Sequence, residues 1–537
     1  MKRHYLLILA LTLALLTACN PSTSQKVIKE PDPTPTSSPT ATPLPEPTNT
    51  PRPPTPTPIP TPSPTPTASL GEIPMSTLFD VLWDDRSVFE AGLLDDQEDI
   101  LNRLDGASVY HLELNIDPDM THLAGREEVR YTNTEDAPLT EIYFHLFPNI
   151  LDGSSKVTNL RVNNRPVEGQ LSNRNSALQV PLAAPLKVGE SVVVTLDFSV
   201  KVPTEAGATY GAFSCLDNIL ALPHAYPMIA VYDDEGWNIE VPPTYGDVVY
   251  ADTSFYLARV IAPSDLTIIA SGVEIETEED AGTQTVTFAA GPMRDFYLAA
   301  SNDYVVTSQI VDGTLINSYA PPDVSDSAEQ ALEYTVDAVN TFNYRVGPYP
   351  FTELDLLATP TTAGGIEYPG AIVVALSLYQ NPNDFFELAT AHETAHQWFY
   401  SAVGSDQVDD PWLDESLTQY ATWMYFREVY GEQGGAQFER QMNDFWRGAS
   451  DTNIPIGLPV AAYSDSDYGS IVYGKGPIFF NTLAETMGED AFDAFLRDYY
   501  QSYRWGISTP EALKTLAEEH CGCNLTPLFE EWVFGEG

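Results

Sequence analysis

Apolar and polar positions alternate with a period of two in Val109-Tyr110-His111-Leu112-Glu113-Leu114-Asn115-Ile116 and again in Ser191-Val192-Val193-Val194-Thr195-Leu196-Asp197-Phe198. That is the spacing of strands with one face against a core. Turn signals such as Asp152-Gly153 and Val188-Gly189 bound these runs, so the chain from Val109 to about Asn302 is predicted to be rich in strands. A helical-looking lead from Met75 to Leu104 precedes it. From Ser327 onward the period lengthens to that of helices, in windows Ala328 to Tyr344, Asn383 to Val403, Asp414 to Tyr430 and Pro477 to Thr486. Gly431 is expected to end the third window. The pattern predicts a β-rich N-terminal domain over 75–304 and a mostly helical domain over 305–537, without internal repeats.

The first 74 residues follow a different pattern. Met1-Lys2-Arg3-His4 leads into an apolar run from Tyr5 to Leu16, the layout of a signal peptide over 1–18. Leu16-Thr17-Ala18-Cys19 resembles the bacterial lipobox, which implies a diacylglycerol on the sulfur of Cys19 and a chain that starts there after cleavage. Residues 19–74 are dominated by Pro, Thr and Ser, as in Pro53-Pro54-Thr55-Pro56-Thr57-Pro58. With few apolar groups to bury, they are expected to form an extended, disordered stalk. Together these features predict an extracytoplasmic protein, lipid-anchored to the bacterial cell envelope. Beyond Cys19 only Cys215, Cys521 and Cys523 remain, so an odd number leaves at least one thiol unpaired within the chain. A local structural role is expected for Cys521-Gly522-Cys523.

Composition narrows the range of partners. Of 537 residues, 25 are Lys or Arg and 76 are Asp or Glu, a formal charge of −51. A nucleic acid would be repelled, without the counterion release that drives such binding, so no nucleic-acid partner is expected. With 43% hydrophobic and 11% aromatic residues the acidity does not signal wholesale disorder; it describes a solvated surface over packed cores.

Candidate chemistry centres on His392-Glu393-Thr394-Ala395-His396 in the second helical window. Helical spacing puts the two imidazoles one turn apart on a single face, where both can reach one metal ion, with Glu393 beside them. Catalytic zinc takes three protein ligands and keeps one position open. Glu415 follows His396 after eighteen intervening residues, within Trp412-Leu413-Asp414-Glu415-Ser416 at the start of the next helical window. A helix, a return and a second helix can bring that carboxylate to the same ion.

This spacing is the signature of the aminopeptidase N family of zinc metallopeptidases, the gluzincins, which the chain resembles from approximately Val109 to Phe534. Ala363-Gly364-Gly365-Ile366-Glu367-Tyr368 is similar to the family's G-x-M-E-N segment, Trp412-Leu413-Asp414-Glu415 to its W-L-N-E, and Tyr473-Gly474-Lys475-Gly476 to its Y-x-K-G. Tyr226-Pro227-Met228-Ile229-Ala230-Val231-Tyr232-Asp233 extends the resemblance into the β-rich half. The resemblance implies a multidomain fold in which the β-rich domain precedes a thermolysin-like α/β, mostly helical, zinc peptidase domain. It further implies one zinc ion on His392, His396 and Glu415, with Glu393 as general base and Tyr473 stabilising the transition state. Glu367 would hold the substrate's free α-ammonium, and Gly364 and Gly365 would let the peptide backbone approach.

In the amine-recognition segment Ile366 replaces the family's Met and Tyr368 its Asn. No match is evident for the second acidic or amide group that many relatives contribute from the β-rich domain. The sequence stops at Gly537, soon after Trp532, so the large C-terminal helical domain of longer relatives is expected to be absent and the cleft to admit longer peptides. The reading is a zinc aminopeptidase acting on peptides with a free N-terminus. Its rivals are an open-cleft zinc endopeptidase with the same chemistry and a non-catalytic, peptide-binding surface lipoprotein.

Overall fold

The computed structural model describes residues 77–535; the signal peptide, Cys19 and the stalk expected over 1–74 lie outside the described residues. The alternating runs form an eight-stranded sheet. Its order is Val273–Asp280, Thr283–Met293, Ser254–Pro263, Val109–Ile116, His122–Thr132, Ser191–Lys201, Ser154–Val162 and Arg165–Pro166. Neighbours are antiparallel except for Val109–Ile116 beside Ser254–Pro263, which run parallel. Two four-stranded sheets, one containing Ile219–Pro223 and Tyr297–Ser301 and the other Leu139–His145 and Ala177–Leu186, and a two-stranded ribbon of Tyr232–Asp233 and Gly236–Trp237 complete the β-rich half. The buried residues Leu112, Val129, Val194 and Val260 line the core of the large sheet.

The lead before Val109 is not the α-helix its pattern suggests. It folds as two short 3₁₀ turns, Ser87–Gly92 and Glu98–Asn102. Acidic and glycine breaks explain this: Asp85 accepts from the Ser87 backbone at 3.0 Å and from its hydroxyl at 2.6 Å, opening a turn where a helix would continue. The apolar positions still serve the core, with Trp83 stacked on His111 at 4.3 Å and Phe89 against Phe255 at 4.9 Å.

Beyond residue 304 a five-stranded sheet runs Val305–Val311, Thr314–Ala320, Glu353–Thr359, Ala371–Ala375, Gly365–Ile366, with a parallel centre and Gly365–Ile366 at one edge. Helices Ser325–Arg345 and Asp384–Ala395 pack on it, the segment Leu417–Trp446 packs on those two helices and Gly476–Met487 on that segment, giving the α/β, mostly helical half. The helix carrying His392 starts where the Asn383 side chain accepts from the Phe385 backbone at 2.8 Å. It stops at Ala395, short of the expected Val403. Fully buried Arg294, from the β-rich half, donates to the carbonyls of Tyr400 (2.6 Å), Ala402 (3.1 Å) and Gly506 (2.5 Å) and so holds the following turn in a non-helical path. Gly431, at φ 68° and ψ −167°, leaves the helical conformation and ends the helix that begins at Leu417, as expected; a second helix follows it and runs to Trp446. Cys521 and Cys523 form a disulfide, and Cys215 is a free thiol.

One side chain in the large sheet contradicts its surroundings. Glu127 is completely buried and neither of its carboxyl oxygens has a hydrogen-bond partner. Burial pushes its pKa well above the ordinary carboxylate value. An acid held protonated by the fold favours the native state below its unfolded pKa, and that advantage is lost as pH rises. Glu127→Leu is therefore expected to be more stable than the parent at about pH 8, by about 1–3 kcal/mol. The gap should close toward pH 4 in thermal melts; a gap independent of pH would contradict the assignment.

Candidate functional site

Three ligand atoms converge where the two central helices meet. His392 Nε2 lies 3.1 Å from Glu415 Oε2, His396 Nε2 lies 3.2 Å from His392 Nε2 and 3.5 Å from Glu415 Oε2. A tetrahedral ion with bonds of about 2.0–2.1 Å has ligand–ligand edges of about 3.3–3.4 Å. All three residues are buried, so this donor set fits a metal ion of zinc's size and preference. Trp412–Ser416 forms a wide π-type turn before the second helix, which turns Glu415 toward the histidines.

The three residues differ in electrostatic setting. Burial lowers the His392 pKa and keeps it neutral. His396 Nδ1 lies 2.8 Å from Asp414 Oδ1. Against the lowering effect of burial, that carboxylate, Glu415 and Glu367 raise the His396 pKa well above its usual value. His396 Nδ1 donates to the Phe399 carbonyl at 3.1 Å with the Asp414 carboxylate beside it, which turns Nε2 toward His392 and Glu415, where a metal ion would displace its proton. Burial works to raise the Glu415 pKa, but the two imidazoles outweigh it and hold the group well below its ordinary value, as a carboxylate.

The remaining residues expected in the site surround this cluster. Glu393 is buried, and a Cβ on Gly365 would lie 2.3 Å from its Oε1, so only glycine lets the edge strand come this close to that carboxylate. Gly364 takes the left-handed φ of 97°. Tyr473, on a second π-type turn, Ile471–Lys475, donates to Glu415 Oε1, with its ring 5.9 Å from that of His392. Burial, then the Glu415 carboxylate, pushes its phenol well above the usual value, so it is a donor. Glu367 accepts from Gln407 Nε2 at 3.1 Å, and the same amide donates to Asp414 Oδ2. Burial, and the Asp414 and Glu415 carboxylates against the pull of His396, push Glu367 up to about 7.

Tyr368, which stands where the family has Asn, stacks on Tyr297 of the β-rich half at 4.3 Å and meets the His224 ring edge-on at 5.7 Å. Four functional side chains escaped the sequence reading. Asp414 orients His396; Gln407 joins Glu367 to Asp414; Gln397 donates to the Tyr368 carbonyl at 3.2 Å and accepts from the Gly370 backbone at 2.9 Å. Asp247, from the β-rich half, has a carboxylate oxygen within 4.8 Å of those of Glu367 and Asp414. It is an acidic group from the β-rich half beside Glu367. Asp414 and Gln397 are adjacent to motif residues and could have been found there, whereas Asp247 is one of 76 acids and only the fold singles it out.

Residues 328–532 match the model of the Peptidase family M1 domain. Aminopeptidase M1-B of Oryza sativa subsp. japonica is 25% identical over 293 residues, 51% of this chain and 33% of that protein. Aminopeptidase 2 of Candida albicans is 24% identical over 303 residues, 53% of this chain and 33% of that one. The chain thus spans about a third of the length of these relatives. In fold it is similar to the M1 zinc metallopeptidase from Deinococcus radiodurans, with a TM-score of 0.61 at 19% identity over 80% of this chain and 94% of that one. A mutant of that enzyme bound to a Tyr-Ser-Ala substrate superimposes equally well, with a TM-score of 0.61, 18% identity and the same two coverages, 80% and 94%.

Asp414→Asn should leave the three ligands in place yet weaken zinc binding about 10–100-fold, because the imidazole loses its orienting carboxylate. Competition with a chelator measures this, and an unchanged affinity would remove Asp414 from the site.

Proposed function

We propose that this chain, whose residues 328–532 constitute a Peptidase family M1 domain, is a zinc-dependent aminopeptidase that removes residues from the free N-terminus of peptides. The observation that carries the reading is the convergence of His392, His396 and Glu415 on one point with Glu393 and Glu367 grouped around it. A single bound zinc ion would polarise the scissile carbonyl and lower the pKa of water.

The chain's own residues do the rest. Glu393 accepts the proton of the attacking water and passes it to the leaving amine. The Tyr473 phenol donates to the oxygen on which negative charge develops, a contact that typically lowers the barrier by a few kcal/mol. Glu367 and Asp247 receive the α-ammonium through charge-assisted hydrogen bonds, so the first peptide bond is the one set against Glu393. Gln407 and Gln397 fix Glu367 at its carboxylate and at its segment's backbone. Two carboxylates around one ammonium site favour recognition of a chain end over internal cleavage. The aminopeptidase names of the relatives and the peptide bound to the Deinococcus mutant support the substrate class.

Anchoring through a lipid on Cys19 and location at the bacterial envelope belong to the same proposal, supported by Leu16-Thr17-Ala18-Cys19 and the tract that follows. Cys19→Ala should release the protein from the membrane fraction with its activity intact; retention in that fraction would contradict the lipid anchor.

The catalytic reading is tested on matched free and N-acetylated peptides. Glu393→Gln should retain zinc while losing at least about 10²-fold in turnover. Glu367→Ala should depress cleavage of the free-amine peptide, in both KM and kcat, and leave slow cleavage of the acetylated one nearly unchanged. Undiminished hydrolysis by Glu393→Gln would overturn the mechanism. Efficient cleavage of acetylated peptide by the parent would favour an endopeptidase, and bound zinc without any hydrolysis a binding module.

A further inference from the structure

The edge strand Gly365–Ile366 pairs on one side only, with Ala371–Ala375. The Ala375 backbone donates to the Gly364 carbonyl at 2.8 Å, so Gly364 faces its neighbouring strand. In an antiparallel ladder the next residue faces the other way, and the N–H and C=O of Gly365 point to the open edge. Glu393 lies against one face of this strand at Gly365, as the 2.3 Å approach of a Cβ there to Oε1 shows, and Glu367 stands two residues further along.

These positions fix a direction. A peptide whose amine is at Glu367 and whose reacting bond is at Glu393 runs alongside the strand from Glu367 toward Gly364, antiparallel to it. The portion released by cleavage therefore passes Gly364. There the Phe385 ring stands over the backbone, 3.2 Å from the position a Cβ on Gly364 would take. Phe385 lies in the first turn of the helix that carries His392 and is 48% exposed, while its neighbour Phe386 is the one buried in the core. The fold does not need an aromatic ring at position 385. Its sequence neighbours in that turn, Asp384 and Glu387, are acidic.

We infer that Phe385 is a specificity-determining residue on the leaving side of the site, selecting peptides with an apolar, above all aromatic, side chain in the first or second residue after the cleaved bond. This rests on the aminopeptidase reading above. An aromatic side chain there covers the Phe385 ring and removes both from water, whereas an alanine leaves the ring exposed.

The test uses the zinc-loaded full chain and three peptide amides, Ala-Ala-Ala, Ala-Phe-Ala and Ala-Ala-Phe, following release of the first alanine. At least one phenylalanine peptide should exceed the all-alanine peptide about tenfold in kcat/KM, chiefly through KM. Phe385→Ser should bring the ratio to within about twofold. No preference in the parent, or a preference that survives Phe385→Ser, would overturn the inference. Calorimetric binding of the same peptides to zinc-loaded Glu393→Gln separates this from the catalytic reading. The same ranking there, without hydrolysis by the parent, would overturn the peptidase and leave the Phe385 subsite standing; equal affinities would overturn the subsite.

Discussion

The structure depends on a buried excess of negative charge. Glu367, Glu393, Asp414 and Glu415 are all buried where the helices meet the edge strand, with Asp247 reaching them from the β-rich half. Among the described residues no lysine or arginine makes an ion pair with any of them; the charged contacts they make are to His392 and His396. Nearby Arg294 donates to backbone carbonyls instead. Isolated carboxylates at this depth are strongly unfavourable. A divalent cation would offset this charge, and two imidazoles spaced for a tetrahedral ion provide the place for it.

The two halves build the site jointly. The helical half contributes His392, His396, Glu415 and Glu393, and the β-rich half contributes Asp247, the Tyr297 ring under Tyr368 and the Arg294 guanidinium. That guanidinium decides where the motif helix ends. Replacement of the family's Asn by Tyr368 then reads as a change of anchoring: a polar side chain beside the amine segment is exchanged for an aromatic stack that ties the segment to the neighbouring sheet. Apolar burial and ring stacking take over a positioning role that hydrogen bonds could have filled.

Much of this was legible in the chain itself. Period-two runs located the strands, and helical spacing put His392 and His396 on one face because local geometry alone determines both. Glu415 was legible through its distance from His396, a relation between two neighbouring helices. What the sequence hid was set by contacts distant along the chain. Nothing local distinguishes Asp247 from other acids, and the early end of the motif helix follows from an arginine over a hundred residues away. The lead before Val109 misled for the opposite reason, since its apolar spacing suited a helix while Asp85 and Gly92 favoured turns.

The central claim is that these buried acids and imidazoles hold one zinc ion through His392, His396 and Glu415. X-ray absorption at the zinc edge of the purified protein tests it most directly. The account predicts one zinc per chain with a shell of nitrogen and oxygen at about 2.0–2.1 Å, including the outer-shell scattering of two imidazoles. Sulfur at about 2.3 Å, which would place the metal on cysteine, or zinc without imidazole scattering, would contradict it.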